Sequence, residues 1–303
     1  MELLVYGIVL GSITALGSVG LTLIWGITDL FNCAHGDQMT AGAYFALLFA
    51  AIFSRAGILQ AKVGPFSFSW GVIVAFIPAI IISILLAIMI DRWVYKPLRE
   101  RGSVAKFITG FVASIGVAWA LRGVIYIIWG ADFHFYSTGL RPTIILGSGV
   151  KFRWDEIFIF VFAIASVVAV YLFMLKTKAG KALRALADSP ELARVSGIDT
   201  ERMLIWAWGI AGLLIAIAGI LYGIETQLRP EMGWIFLLPL FATVILGGQG
   251  SIPGALVGGM ILGIAQQLST AFLTPTYKPA VAFIIMIIVL LVRPRGIFGR
   301  RKV

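Results

Sequence analysis

The sequence predicts an all-α polytopic bundle of transmembrane helices, with eight or nine spans, interrupted helices and one folded cytoplasmic loop. Three observations predict it. The 303 residues are 60% hydrophobic with a mean hydropathy of +1.00, and only 13% are charged, whereas a soluble domain carries roughly a quarter charged residues. The apolar residues fall in long uncharged runs. The basic residues cluster in three short stretches.

Leu3 to Thr28, Trp70 to Ile90, Ile157 to Leu175 and Met203 to Ile224 contain no charge, and each is long enough as a helix to cross about 30 Å of hydrocarbon. A further span starts after Gln38 and runs to Ser54, and another, Phe107 to Gly130, is interrupted only by Arg122. Met232 to Tyr277 is uncharged throughout and holds two spans with a break near Gly247 to Pro253; a last run follows Pro279 and ends at Val292. Of these, Phe236 to Leu246 is too short to cross fully. The runs are apolar on every face, so alternating barrel strands are excluded.

Sixteen of the 24 lysines and arginines lie in Arg92 to Lys106, Lys176 to Arg202 and the tail from Arg293. The positive-inside rule puts all three stretches in the cytoplasm, an even number of spans separates each pair, and the N-terminus is expected outside. The net charge of +10 thus sets topology, and a nucleic-acid partner loses its support. The first run lacks a basic leader and is expected to stay as a span. A single cysteine, Cys33, and two distant histidines, His35 and His134, offer neither a disulfide nor a metal site.

Three stretches depart from plain apolar helix. In the first, Asn32, His35, Gly36 and Asp37 sit with Asp29 between two spans, without a nearby lysine or arginine. Two readings fit: an interrupted helix whose polar groups line a solute path, or a short capped turn, since Asp and Asn favour N-caps and Gly36 permits unusual backbone angles. The second is Gly247-Gly248-Gln249-Gly250-Ser251, continuing to Gly259 with six glycines and a proline. It fits an unwound segment facing a cavity or close helix packing through small residues, or both on different turns. It is no nucleotide loop; Gly-x-x-x-x-Gly-Lys-Ser/Thr occurs nowhere in the chain. Gln266 and Gln267, polar in the least charged region, are expected to face a solute path or a partner helix.

The third stretch is the loop 176–202. Gly180 to Ala187, including Arg184, is rich in helix formers with Leu183 and Leu186 at helical spacing. Asp188-Ser-Pro190 starts a second short helix, with Glu191 favouring its N-terminal end, and Gly197 closes it. Such a loop has a surface suited to docking another protein; an ordinary basic loop that holds topology is the alternative.

Asn32-Cys-Ala-His-Gly-Asp37 with Ala41-Gly-Ala-Tyr44, Thr177 to Ala185 with Ala193-Arg194-Val-Ser-Gly-Ile198, and Gly247 to Gly259 together resemble the branched-chain amino acid ABC transporter permeases, in their LivH-type more than their LivM-type form. The matches fall in order along most of the chain. The resemblance implies one transmembrane permease domain, 1–303, in a bacterial or archaeal plasma membrane. It further implies a LivM-type second permease, two cytoplasmic ATPases that bind the ATP and Mg, and an external solute-binding protein; no cofactor is expected in this chain. Glu191 to Gly197 is similar to the Glu-Ala-Ala-x-x-x-Gly loop that seats on the ATPase, with Leu192 replacing the first alanine. Relatives carry branched-chain and other amino acids, amides and urea, so urea or short amides are the alternative cargo. The competing class is an ATP-independent channel or secondary transporter, for which Arg122 and the Asp29 to Asp37 cluster would supply the ionisable groups. A membrane enzyme is a poorer reading, since no paired carboxylates or nucleophile–base spacing is visible.

Overall fold

In a computed structural model, which describes residues 1–57, 59, 61–100, 106–137, 143–145, 151–293 and 295–299, each expected apolar run is a helix. Twelve α-helices follow one another: α1 (Glu2–Thr28), α2 (Ala34–Arg55), α3 (Trp70–Ile90), α4 (Lys96–Glu100), α5 (Lys106–Trp129), α6 (Trp154–Lys176), α7 (Lys178–Asp188), α8 (Pro190–Val195), α9 (Thr200–Glu225), α10 (Met232–Gly247), α11 (Ile252–Ser269) and α12 (Lys278–Val292). Eight segments are long and apolar enough to span a bilayer, and α10 is the shorter ninth. At 16 residues α10 is about 24 Å long, less than the hydrocarbon thickness. A two-stranded antiparallel ribbon, β1 (Thr143–Ile145) with β2 (Lys151–Arg153), precedes α6.

Helix α1 is the axis of the bundle, buried almost continuously from Gly11 to Trp25. Its broadest packing is against α11, with α9, α6 and α10 around the rest. Glycine makes the α1–α11 approach possible: a Cβ at Gly259 would lie 2.6 Å from Ala15 Cα, and one at Gly11 3.0 Å from Met260 Cα. This is small-residue packing, in which backbones gain dispersion contacts that larger side chains would prevent. The outer helices instead present Ile, Leu, Val and Phe, such as Ile284, Ile288 and Leu291 of α12 and Ile77, Ile81 and Leu85 of α3.

One expected boundary needs correction. Helix α2 begins at Ala34, not after Gln38. The Asn32 side-chain oxygen accepts the Ala34 N–H at 3.0 Å, and Arg122 neutralises Asp37, so the polar stretch is helical and buried. The basic stretch from Arg92 is also largely helical, since α3 continues through one π-helical turn, Asp91–Tyr95, into α4. Residues 101–105 lie outside the described residues.

At the end of the bundle opposite the 176–202 loop, Arg153 binds Glu156 at 2.6 Å and also Glu225, with its guanidinium over the Tyr6 ring. These contacts tie the starts of α1 and α6 to the end of α9. Replacing Gly259 with Val is expected to destabilise the protein by about 1–3 kcal/mol through overpacking. Gly116→Ala, where no atom lies within 4 Å of the added carbon, is expected to be neutral or to stabilise by up to about 1 kcal/mol. Thermal unfolding of both variants in detergent checks the pair.

Candidate functional site

The two stretches singled out between helices converge. The first break, residues 29–33, follows α1, whose cap Asp29 is left-handed (φ 52°). The second, residues 248–251, separates α10 from α11, with Gly248 and Gly250 at φ 99° and 76°, angles that glycine adopts without strain. The Gly250 N–H donates to Thr22 Oγ at 2.9 Å, and Gly26 admits the Gly250 backbone beside it. Phe31 stacks on Phe241 at 3.7 Å between centroids, and Trp25 meets both rings edge-on. Ser251 caps α11 by accepting the Gly254 N–H at 3.1 Å. The residues after α12 close the far side, with the Ile297 and Phe298 N–H groups donating to Leu246 and Gly247 carbonyls at 2.8 and 3.0 Å. Of the expected tail, 294 and 300–303 lie outside the described residues.

The first break is recessed. The Cys33 N–H donates to Ser114 Oγ at 3.0 Å, eight residues into α5 from Lys106. Asn32 is joined through Tyr95 to Trp208, likewise eight residues into α9 from Thr200. Both place the break about 12 Å inside the helical layer. Backbone groups at such depth need protein partners, and Asn32 and Ser114 supply them.

Each of the site residues expected in the first stretch is buried: Asn32, His35, Gly36 and Asp37. His35 Nε2 lies 3.1 Å from the Gly17 carbonyl; a carbonyl only accepts, so Nε2 carries the proton. Gly36 is helical, and its need is space: a Cβ there would overlap the Gly233 backbone at the start of α10, whose N–H donates to Thr40 Oγ at 3.0 Å. Asp37 takes a two-point hydrogen-bonded pair from Arg122, Nε at 2.9 Å and Nη2 at 3.0 Å. The guanidinium also lies over the rings of Trp119 and Trp234, at 5.4 and 4.8 Å. Arg122, the ionisable group an ion-coupled carrier would need, is thus fully engaged in joining α5 to α2.

Gly247 packs against Gly254 while Gln249 and Gly250 are exposed, so the glycine-rich stretch combines an unwound turn with close packing. Gln266 donates to the Lys278 carbonyl at 3.0 Å, and the Lys278 ammonium donates to Gln267 at 2.7 Å. The two glutamines therefore tie α11 to the start of α12. No group of three or more metal-ligating side chains occurs among the described residues.

The 176–202 loop is folded as its spacing predicts. Thr177 caps α7 through the Gly180 N–H at 3.0 Å, and Ser189 caps α8, with Pro190 in its first turn. Gly197, at φ 80°, ends α8: its N–H donates to the Arg194 carbonyl and that of Ile198 to the Ala193 carbonyl, both at 3.0 Å, the two bonds of a Schellman cap. Leu183, Leu186 and Ala193 face the core, whereas Arg184, Glu191, Leu192, Arg194 and Val195 are exposed. Asp199 then caps α9 through the Arg202 N–H. Sequence reasoning missed Thr22, Tyr95, Ser114 and Trp208. All are isolated residues on apolar helices or in a basic stretch, with no spacing signal to mark them.

Comparison with known proteins is consistent across the whole chain. The family described as "branched-chain amino acid transport system / permease component" matches residues 3–290. The high-affinity branched-chain amino acid transport system permease protein LivH of Salmonella typhimurium is 32% identical, over 98% of this chain and 94% of its own length. BraD of Pseudomonas aeruginosa, bearing the same description, is 31% identical over 100% of this chain and 97% of its own. A probable LivH permease of Methanocaldococcus jannaschii is 30% identical over 96% and 90%.

Arg122→Ala is expected to cost about 3–5 kcal/mol, because it leaves the Asp37 carboxylate buried without its partner. The double variant Asp37→Leu, Arg122→Met is expected to recover most of that loss. Denaturant titration of the single and double variants in detergent measures the difference.

Proposed function

The chain belongs to the branched-chain amino acid transport system permease family, and we propose that it is the membrane-spanning subunit of an ATP-driven importer for leucine, isoleucine, valine or related amino acids. The observation that carries the ATP-driven part is the folded loop: α7 and α8 are separately capped, α8 ends in a Schellman turn, and its outer face shows Glu191, Leu192, Arg194 and Val195. A chain without a nucleotide loop that builds such a surface is suited to receive force from a subunit that has one.

In this reading residues 1–303 form one permease domain with its loop end and basic tail in the cytoplasm and its N-terminus outside. A second, LivM-type permease completes the path, an external binding protein delivers solute, and two ATPases bind ATP and Mg. The residues placed nearest to a moving path are the two breaks, Asn32 to Asp37 and Gly247 to Ser251. In this reading the residues that meet the ATPase are Arg184, Glu191, Arg194 and Gly197, whereas Ala193, expected among them, is buried and anchors α8 to the core instead.

Purification in mild detergent from the native membrane, followed by mass spectrometry, tests the assembly. Two ATPases and a second permease are expected with the chain; recovery of the chain alone, transporting in liposomes without ATP, would overturn the reading. Gly197→Val forces a β-branched residue into a left-handed conformation, a strain of about 1–3 kcal/mol confined to the loop. The variant is expected to insert normally but to take up little solute per ATP hydrolysed, read by radiolabelled leucine uptake alongside phosphate release.

A further inference from the structure

Between the loop and the first break lies a segment with no role so far. After Ile90, α3 passes through the π-helical turn Asp91–Tyr95 before becoming α4. A π turn changes the phase of the side chains that follow, and such turns gather at functional positions. Here two polar side chains are turned inward. Asp91 is held by Arg99 at 2.5 and 3.1 Å. Tyr95 is 2% exposed, and its ring stacks on Trp208 of α9, 5.1 Å between centroids and 16° from parallel. The Tyr95 hydroxyl donates at 2.9 Å to Asn32 Oδ1, the same oxygen that accepts the Ala34 N–H. The next residue, Lys96, binds Glu201 at 2.9 Å, two positions after the Asp199 cap of α9. Two consecutive side chains, Tyr95 at the end of the π turn and Lys96 at the start of α4, therefore hold the start of α9, directly after the loop, and the Asn32 side chain that accepts the first N–H of α2.

We propose that Tyr95 is a positioning residue for transport, carrying displacement of the 176–202 loop to the first helix break by way of the Asn32 side chain. The inference rests on the reading of that loop as the ATPase-docking surface. A push on α8 reaches α9 through the Ile198 and Asp199 turn, and α9 moves as a rigid rod carrying Glu201 and Trp208. The ion pair and the ring stack draw the π turn with it. The Tyr95 hydroxyl then shifts the Asn32 oxygen, and with it the first turn of α2, to which Arg122 fastens α5. A joint of this kind needs a second arrangement, and the means for one adjoin Tyr95. Asn32 Nδ2 and Trp208 Nε1 are buried donors without a hydrogen-bond partner among the described residues, and the Tyr95 hydroxyl, which donates to Asn32 Oδ1 here, can also accept, so a small rotation can let it take a bond from Asn32 Nδ2 instead.

The test uses the intact complex in proteoliposomes. Tyr95→Phe keeps the ring and its stack and removes only the hydroxyl. Normal assembly and parental ATPase activity without solute are expected, with leucine uptake per ATP lowered roughly five- to tenfold, the size of an ordinary coupling between sites. Lys96→Glu, at a surface pair with side chains 33% and 52% exposed, is expected to lower the same ratio, and the swap Lys96→Glu, Glu201→Lys to restore it. Tyr95→Phe with the parental ratio overturns the proposal; if that variant does not assemble, Lys96→Glu with the parental ratio does so. A parent complex that takes up leucine without ATP overturns the docking-loop reading and this inference with it. An ATP-driven parent with unaffected variants overturns the inference alone.

Discussion

A helix break packed among other helices must find protein partners for the backbone groups it leaves open, because apolar side chains supply none. The packing around the two breaks follows from that constraint. Asn32 bends back onto the Ala34 N–H, Ser114 reaches across from α5 to the Cys33 N–H, and Thr22 takes the Gly250 N–H. Thr40 does the same for Gly233 at the start of α10, and residues 297–298 supply donors to the carbonyls at its end. Apart from Asn32, which acts locally, each partner is a short polar side chain from another helix or a backbone group of the segment after α12. The breaks are therefore built from the bundle around them and cannot form before it does.

Charge at depth obeys a similar rule. Asp37 and Arg122 face one another with two-point geometry, and two tryptophan rings cover the guanidinium. A pair of this kind contributes less to net stability than to fixing which surfaces meet; here it sets the rotation of α5 about its own axis. Ser114, bonded to the first break, and Tyr126, bonded to Glu231, are further polar links of α5. Helix α5 is thus pinned by polar contacts while Val112, Trp119, Val124 and Ile127 look outward.

Much of this was legible in the sequence. Uncharged runs gave the spans because hydrocarbon tolerates nothing else, and the capped helices of the 176–202 loop were readable because Ser189, Pro190 and Gly197 act through local geometry. The two breaks were visible as polar or glycine-rich interruptions, although their convergence was not. Thr22 and Gly250 are 228 positions apart, and no local pattern in either predicts the other. The helical start of α2 at Ala34 was missed for the same reason: the charge that makes Asp37 admissible comes from Arg122, on another helix. Tyr95 escaped because its basic stretch was read for charge alone, and the π turn that aims its side chain inward has no local sequence signal.

The enclosure of α1 has a consequence for biogenesis. Helices leave the ribosome in chain order, and the glycine faces of α1 fit against Gly259 and Gly263 of α11. At synthesis rates of about 5–20 residues per second, more than two hundred residues separate the two by tens of seconds. During that interval α1 sits in the bilayer with shallow, grooved faces that lipid chains fill poorly and that suit another helix better. Any small-residue helix inserted nearby can dock there in the meantime. The glycine faces of α1 are therefore covered only when α11 is made, so the axis of the bundle is among the last of its surfaces to be enclosed.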